Sequence, residues 1–235
     1  MIFRTILFSL SAFLSVMVCC TKAPAIKLDY SIADSFYCFK EKMNERIRGF
    51  GQISVSVDGR RYNGSIDIDY KNDLFKASAY SPFGALVASI DADSVQGEIN
   101  DGKNSNRFFL DAIADSLVFI SADDLTFRDF ICILTGRLPQ KFNRMGKVPP
   151  DTILREKRNS SLIWKQDSLE ITARVHNKSS QLTRLTVRNT GNRGWRLLFE
   201  GINEQLAQSI ELKVDDRNYF SIHYQRLKRE MLKSS

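Results

Sequence analysis

Two adjacent cysteines, Cys19 and Cys20, are the residues of this chain whose chemistry is easiest to read. They follow an apolar run of 13 residues from Ile6 to Val18. This run is typical of a signal peptide and is shorter than the ~20 residues that cross a bilayer as a helix. A cysteine at the end of such a signal is the residue that receives diacylglycerol in a bacterial lipoprotein. Cys20 has the smaller preceding residue and is the predicted lipid-attachment site; Cys19 is the alternative, because Val16 precedes it by three residues.

A lipid anchor of this kind would hold the protein without help from its body. One acyl chain gives only marginal membrane binding, so the three chains of a mature bacterial lipoprotein give a stable attachment. Two other interpretations of the N-terminus stay open, namely a plain secretory signal with incidental cysteines and a short uncleaved anchor.

The residues usually found at catalytic and metal sites are sparse in this sequence. Histidine is the commonest acid–base group at neutral pH, and the chain has only His176 and His223, neither with a partner at metal-ligand spacing. Gly49-Phe50-Gly51 lacks the third glycine of a dinucleotide-binding loop, and no Gly-x-Ser-x-Gly motif is present. The sequence therefore predicts a protein that is not an enzyme and that needs no metal and no cofactor.

Cys38 and Cys132 are the other two cysteines. An exported protein could join them in a disulfide. Both have apolar, helix-like neighbours, which favours two separately buried thiols over a bond.

The net charge of +7 comes from basic residues scattered among acidic ones, with a denser run at Arg226–Arg229. For an exported protein, this charge favours an anionic lipid surface or an acidic partner over nucleic acid. A solvated basic face is the equally simple alternative.

The sequence divides into three parts. Residues 1–19 are the predicted signal peptide, and residues 20–47 are the anchor and tether with an amphipathic helix over 29–47. Residues 48–235 form one body, since no Pro-rich or Ser-rich linker interrupts them.

Most of the body alternates apolar and polar residues with a period of two, which is typical of β-strands. The alternation begins at Ile53 and Val55, stops near residue 100, and resumes from residue 160 to the C-terminus. Between the two runs, Phe127–Leu134 has helical spacing behind a capping signal at Ser121–Asp124, and residues 107–119 are read as a further helix. The pattern predicts a mainly β (α+β) fold in which about 11 short strands form a strongly curved antiparallel sheet or an open barrel, with central helices covering its concave face.

A curved sheet covered by helices can enclose an apolar cavity or pack into a solid core, and the pattern does not separate the two. The candidate cavity-lining residues are the inward positions of the strands and helix: Ile53, Val55, Ile66, Ile68, Phe75, Leu86, Ile90, Phe130, Ile131, Leu134, Trp195, Leu197, Phe199, Ile210 and Leu212.

The turn Ser81-Pro82-Phe83-Gly84 carries a large apolar side chain where polar residues are usual. Phe83 either folds back onto the core or projects into solvent. Composition alone favours neither.

Two segments resemble the LolB family of outer-membrane lipoprotein receptors. The first is Tyr62–Ile99, whose middle part Leu74–Gly84 ends in the Pro-Phe-Gly turn, and the second is Phe127–Pro139, which resembles the central helix of that family. Order and spacing continue through Trp195–Phe199 and Ile210–Val214, so the resemblance covers roughly residues 48–226.

The resemblance implies an open, half-closed antiparallel β-barrel with helices on its concave side and an apolar cavity for acyl chains. It also implies an N-terminal lipid anchor, with acyl chains such as palmitate, on the periplasmic face of the outer membrane, and a monomer is expected. It implies that the protein accepts lipoproteins from a soluble periplasmic LolA-like carrier and inserts them into the outer membrane. It also implies that Pro82, Phe83 and Gly84 form a membrane-contacting loop.

This sequence departs from the family pattern in an irregular lipidation signal, an added helix at 29–47, and Phe83 where an aliphatic residue is expected. Two hypotheses follow. The protein is either a receptor that transfers lipoproteins, or a LolB-like envelope lipoprotein with a structural, assembly or other lipid-binding role and no transfer activity. A filled core with a buried Phe83 would favour the second.

Overall fold

The computed structural model describes residues 45–57, 59–112, 125–142, 148–191, 194–203, 205–214 and 218–232. The signal peptide, the tether, Cys19, Cys20 and Cys38 lie outside these residues. The described residues form one antiparallel sheet of 13 strands, one α-helix and one short 3₁₀ turn.

The strands fall into two meanders on either side of the helix. The first comprises β1 (Glu45–Val57), β2 (Arg60–Lys71), β3 (Leu74–Tyr80), β4 (Leu86–Ala92), β5 (Gln96–Asn100) and β6 (Ser105–Phe109). The helix α1 (Phe127–Leu134) and the 3₁₀ turn Gln140–Phe142 follow. The second comprises β7 (Thr152–Arg155), β8 (Asn159–Gln166), β9 (Leu169–His176), β10 (Leu182–Asn189), β11 (Trp195–Asn203), β12 (Leu206–Lys213) and β13 (Tyr219–Met231).

The first and last strands join the two meanders into a single sheet. β1 pairs with β13, so the strand order runs β6-β5-β4-β3-β2-β1-β13-β12-β11-β10-β9-β8-β7. The sheet is open, with β6 and β7 at its edges. A mainly β fold built on an open antiparallel sheet is thus confirmed, while the described residues alone form 13 strands and not about 11.

Local sequence explains the tight turns of the meanders. Asn72 and Asp73 connect β2 and β3, and both have positive φ, at 50° and 67°. Two successive positive φ angles are the requirement of a type I′ turn, whose twist matches that of the flanking strands. Asn and Asp tolerate this conformation better than other non-glycine residues.

Helix α1 lies on the concave face of the sheet and is buried along nearly its whole length. Its N-cap is Thr126, which accepts a hydrogen bond from the Asp129 backbone N–H at 3.2 Å while the Asp129 carboxylate accepts one from the Thr126 N–H at 3.0 Å. The cap predicted at Ser121–Asp124 is therefore replaced by one at Thr126; residues 121–124 lie outside the described residues. Gly136, with φ of +75°, ends the helical segment.

β1 begins earlier than the sequence predicts. Residues 45–47, predicted as the end of a helix, instead belong to β1, where all three pair with β13 and Arg46 and Ile47 also pair with β2. The period of two is hidden here because the inward positions after Ile47 are Gly49 and Gly51. A Cβ on Gly49 would lie 2.8 Å from a Leu227 methyl and 2.9 Å from Ile68, so close packing requires glycine there.

The edge strands were also missed or misread. Residues 107–109, predicted as helix, belong to β6, which pairs antiparallel with β5; residues 113–119 lie outside the described part. β7 was not predicted at all, because all four of its residues are exposed and no buried face imposes alternation.

A buried ion cluster fixes the segment after α1 to the sheet. Glu45 at the start of β1 is 1% exposed and accepts hydrogen bonds from Arg137, just after α1, and from Arg229 on β13. The Arg229 Nε to Glu45 Oε2 distance is 2.7 Å. One carboxylate therefore joins the two central strands and the helical segment.

Candidate ligand-binding cavity

An apolar cavity of about 470 Å³ lies between α1 and the first meander, on the concave face. Its size is within the range of roughly 300–1,000 Å³ that is typical of small-molecule sites. Phe130 and Leu134 of α1, together with Phe220 of β13, contribute large apolar side chains to its lining, and the rings of Phe130 and Phe220 meet edge to face at 5.7 Å. The remaining lining is Ile53, Val55, Arg61, Tyr62, Asn63, Gly64, Ile66, Ala77, Ala79, Tyr80, Ser81, Pro82, Val87, Ala88, Ser89, Ile90 and Ile99.

Small side chains on neighbouring strands leave this space open. Ala79 on β3 stands opposite Ala88 on β4, and Ala77 stands opposite Ile90. Large residues occupy the corresponding inward positions of the second meander, where Leu197 and Phe199 have no exposed surface. The inner face of the sheet is therefore densely packed in the second meander and leaves a cavity in the first.

The structure separates the predicted lining residues into three groups. Ile53, Val55, Ile66, Ile90, Phe130 and Leu134 line the cavity. Ile68, Phe75, Ile131, Trp195, Leu197, Phe199, Ile210 and Leu212 are buried in the packed core and do not line it. Leu86 does neither: it is 58% exposed and is not part of the cavity lining.

A β-bulge explains the position of Leu86. Tyr80 pairs with Leu86 while the preceding Ala79 pairs with Ala88, so Val87 is an extra residue on β4. An extra residue reverses which side chains face inward. Val87 therefore lines the cavity at the position that simple alternation assigned to Leu86.

Sequence reasoning missed the alanines at 77, 79 and 88 because small residues contribute little to an apolar pattern. The sequence nevertheless contains a feature that indicates a cavity. Two consecutive strands carry alanine at inward positions, and such a pairing leaves a gap unless a large residue on another element fills it.

The turn with Phe83 lies at the mouth of the cavity. Gly84 N–H donates to the Ser81 carbonyl at 2.9 Å, Ser81 N–H donates to the Ala85 carbonyl at 2.8 Å, and Gly84 has φ of +82°. Ser81 and Pro82 line the rim, while the Phe83 side chain is 97% exposed. Of the two orientations open at the sequence level, the structure has the projecting one.

The polar groups of the cavity lie at its rim. Among the described residues that line it, Arg61 is the one charged side chain, and its guanidinium stacks over the Tyr219 ring and donates to Ser54 and Asn63. The interior is apolar. Such a site suits a hydrocarbon chain with a polar end at the opening.

Tyr224 supports α1 beneath the cavity. Its hydroxyl donates to the backbone carbonyl of Leu134, the last residue of the helix. Burial raises the pKa of Tyr224 above its ordinary value, so the hydroxyl stays protonated and remains a donor at neutral pH.

The described residues contain no group of three or more His, Cys, Asp or Glu side chains that could hold a metal ion. His176 contacts Ser179 at 3.2 Å in a surface turn, and His223 is exposed on β13. Cys132 is buried in α1. No helix formed by the described residues is long and apolar enough to cross a membrane.

No protein-family model matches the sequence, and no curated protein matches it. Solved structures do match in three dimensions. A DUF1329 family protein from Desulfovibrio piger aligns with a TM-score of 0.50 and 10% identity over 90% of this chain and 96% of its own. A LolA superfamily protein from Nitrosomonas europaea aligns with a TM-score of 0.50 and 9% identity over 91% of this chain and 96% of its own. The chain therefore has a LolA-like fold.

Proposed function

We propose that this protein is an outer-membrane lipoprotein that binds acyl chains in its apolar cavity and inserts lipoproteins into the membrane from its periplasmic side. The observation that carries the proposal is an open apolar cavity whose rim includes the turn that projects Phe83. In this proposal the protein is a monomer, performs no covalent chemistry, and receives its clients from a soluble LolA-like carrier. Cys20, or else Cys19, carries the lipid anchor.

The cavity supports binding and release without an energy source. Each buried methylene contributes about 0.8 kcal/mol, so a chain with ten methylenes inside would gain roughly 8 kcal/mol. A bilayer buries every methylene of the acyl chain, so the free energy gained there is larger than in a cavity that holds only part of the chain. Transfer then requires only that the cavity bind the acyl chains less tightly than the membrane does.

The alternative is an envelope lipoprotein of the same fold with a structural, assembly or other lipid-binding role. A filled core and a buried Phe83 would be expected for that alternative. The cavity and the exposure of Phe83 instead support the receptor.

The direct test is native mass spectrometry of residues 21–235, which retain every described residue of the sheet, after incubation with a purified triacylated lipoprotein. A one-to-one complex is expected, and it should disappear when the client lacks its acyl chains. A client that fails to bind, or one that binds equally well without acyl chains, would contradict the proposal.

Replacing Phe83 with glutamate is expected to slow delivery of a bound lipoprotein to liposomes by at least about tenfold. Burial of a phenylalanine side chain contributes roughly 1.5–3 kcal/mol, and a loss of 1.4 kcal/mol from a barrier is a factor of ten in rate. Acyl binding and thermal stability should hardly change, because the side chain contacts solvent. The matched control is Phe109→Glu, another exposed phenylalanine that does not line the cavity. Equal delivery rates for the two variants would remove Phe83 from the mechanism.

Joint replacement of Cys19 and Cys20 by serine is expected to release the protein from membranes, because the anchor of three acyl chains can no longer be attached. Fractionation followed by detection of the protein in membrane and soluble pools measures this. Cys38→Ser serves as the control and should leave the protein with membranes. Retention of the double variant would argue against the anchor.

A further inference from the structure

A second and larger depression of about 880 Å³ lies on the opposite face of the sheet, beside the same turn. We infer that this outer groove binds the peptide segment that follows the acylated cysteine of a client lipoprotein. The inference rests on the proposed function, since it assigns the acyl chains of the same client to the inner cavity.

Strand register shows how the outer groove is built. One cross-strand row on the outer face runs Asn63, Ser54, Ser221, Glu211 and Leu198, because each of these residues pairs with the next. A second row runs Ser65, Gln52, His223, Ser209 and Glu200. All ten residues line the groove.

Short side chains in the middle of the rows make the depression. Ser54, Ser221 and Ser209 have single hydroxyls where neighbouring positions have longer side chains, and Phe50 adds an aromatic surface that is 46% exposed. Serine hydroxyls both donate and accept hydrogen bonds, as do the side-chain amides that line the groove. A peptide backbone, which alternates donors and acceptors, is complementary to such a surface.

The outer groove and the inner cavity meet at the turn. Both are lined by Ile53, Arg61, Asn63, Gly64, Ser81 and Pro82. A ligand with apolar tails and a polar chain at one end can therefore place the tails on the concave side and the polar chain on the outer face. An N-terminally acylated peptide has this arrangement, because its acyl groups and its first peptide bond are on the same cysteine.

The charges of the groove offer little attraction to an anionic lipid headgroup. Two carboxylates, Glu200 and Glu211, face it against the single guanidinium of Arg61. Glu211 pairs with Arg196 at 2.9 Å and Glu200 pairs with Arg184, but neither of these arginines lines the groove. Each carboxylate is thus neutralised by its own arginine, and Arg61, whose Nε already donates to Ser54 and Asn63, is the one cation among the described lining residues that a phosphate would meet.

The dimensions fit a short extended segment. Five strands separated by about 4.8 Å span roughly 19 Å, which equals the length of about six extended residues at ~3.3 Å each. Affinity should therefore rise as the client peptide lengthens to about six residues and then level off.

The test compares a synthetic tripalmitoylated peptide of ten neutral residues with palmitic acid, using residues 21–235. Ser221→Tyr and Ser209→Tyr, which fill the outer groove at two separate points, are expected to weaken binding of the acylated peptide by about tenfold. Their affinity for palmitic acid should match that of the unchanged protein. Ser78→Tyr, on the outer face of β3 and outside both sites, is the control and should alter neither affinity. Thermal melting identifies any variant that fails to fold.

The outcomes separate the two proposals. If the unchanged protein does not bind palmitic acid, the cavity assignment and the proposed function both fail. If palmitic acid binds but the two groove variants bind the acylated peptide as well as the control does, the groove assignment alone fails. It also fails if these variants weaken binding of phosphatidylglycerol and not that of the acylated peptide.

Discussion

Glu45→Ala is expected to lower the free energy of unfolding by about 3–5 kcal/mol, the range found when one member of a buried ion pair is removed. The carboxylate is almost completely buried and neutralises two guanidinium groups, those of Arg137 and Arg229. Without it, Arg137 would remain charged in a site where it is only 3% exposed. Urea denaturation at neutral pH, followed by circular dichroism, measures the loss as a shift of the midpoint at constant slope.

Glu230→Ala is the matched control for this loss. Glu230 lies at the same end of the β1–β13 pairing, opposite Arg46, and contacts Arg48 at 2.9 Å, but its side chain is 45% exposed. Exposed pairs contribute about 0–1 kcal/mol, so this variant should be nearly as stable as the unchanged protein. Equal losses for the two variants would show that the buried cluster contributes no more than a surface pair. The cluster would then not be what holds the segment after α1 against the sheet.

Ala88→Trp is expected to weaken acyl binding by at least about 100-fold. An indole at this position occupies space that would hold about four methylenes, and at ~0.8 kcal/mol each their exclusion costs roughly 3 kcal/mol of affinity. Ala79→Trp approaches the same space from the opposite strand and should act in the same way. Displacement of a fluorescent fatty acid from residues 21–235 measures the affinity.

Ser78→Trp separates a cavity effect from a general effect of the indole. Ser78 lies next to Ala79 on β3, but its side chain is on the outer face and does not line the cavity. Its affinity for the fatty acid should be unchanged. If all three tryptophan variants bind the fatty acid as tightly as the unchanged protein does, the acyl chains do not occupy this cavity. If all three lose binding, the strands tolerate no large side chain and the cavity is not specifically involved.

The sequence determined the class of fold because its information is local. Alternation at positions such as Trp195, Leu197 and Phe199 is imposed by burial of one face of a strand, and it can be read without knowing the partner strands. Turn residues with positive φ, such as Asn72 and Asp73, are equally local. The helix Phe127–Leu134 was also found from its own spacing and from the glycine at 136.

The same reasoning failed where the local signal was absent. Alternation marks β1 only from Ile53 onward, because Gly49 and Gly51 occupy inward positions and carry no apolar side chain to mark the period. β7 has no buried face. Leu86 was assigned inward because a bulge on β4 depends on how two strands pair, which neither strand shows alone.

The site itself was decided by the tertiary structure. Ile66 and Ile68 occupy equivalent positions in the alternating pattern, yet Ile66 lines the cavity and Ile68 is packed in the core. The residues on the neighbouring strands differ, since Ile66 stands opposite Ala79, which pairs with Ala88, whereas Ile68 stands opposite Ala77, which pairs with the larger Ile90. The ion cluster joins Glu45 to a residue 184 positions away. A hydrophobic pattern indicates which face of a strand or helix is buried. A cavity, in contrast, depends on the summed volumes of side chains from elements that are distant in the sequence. The sequence therefore determined that this chain forms a one-sided β-sheet with a covering helix, and only the packing of side chains from separate strands and the helix decided where the sheet is hollow.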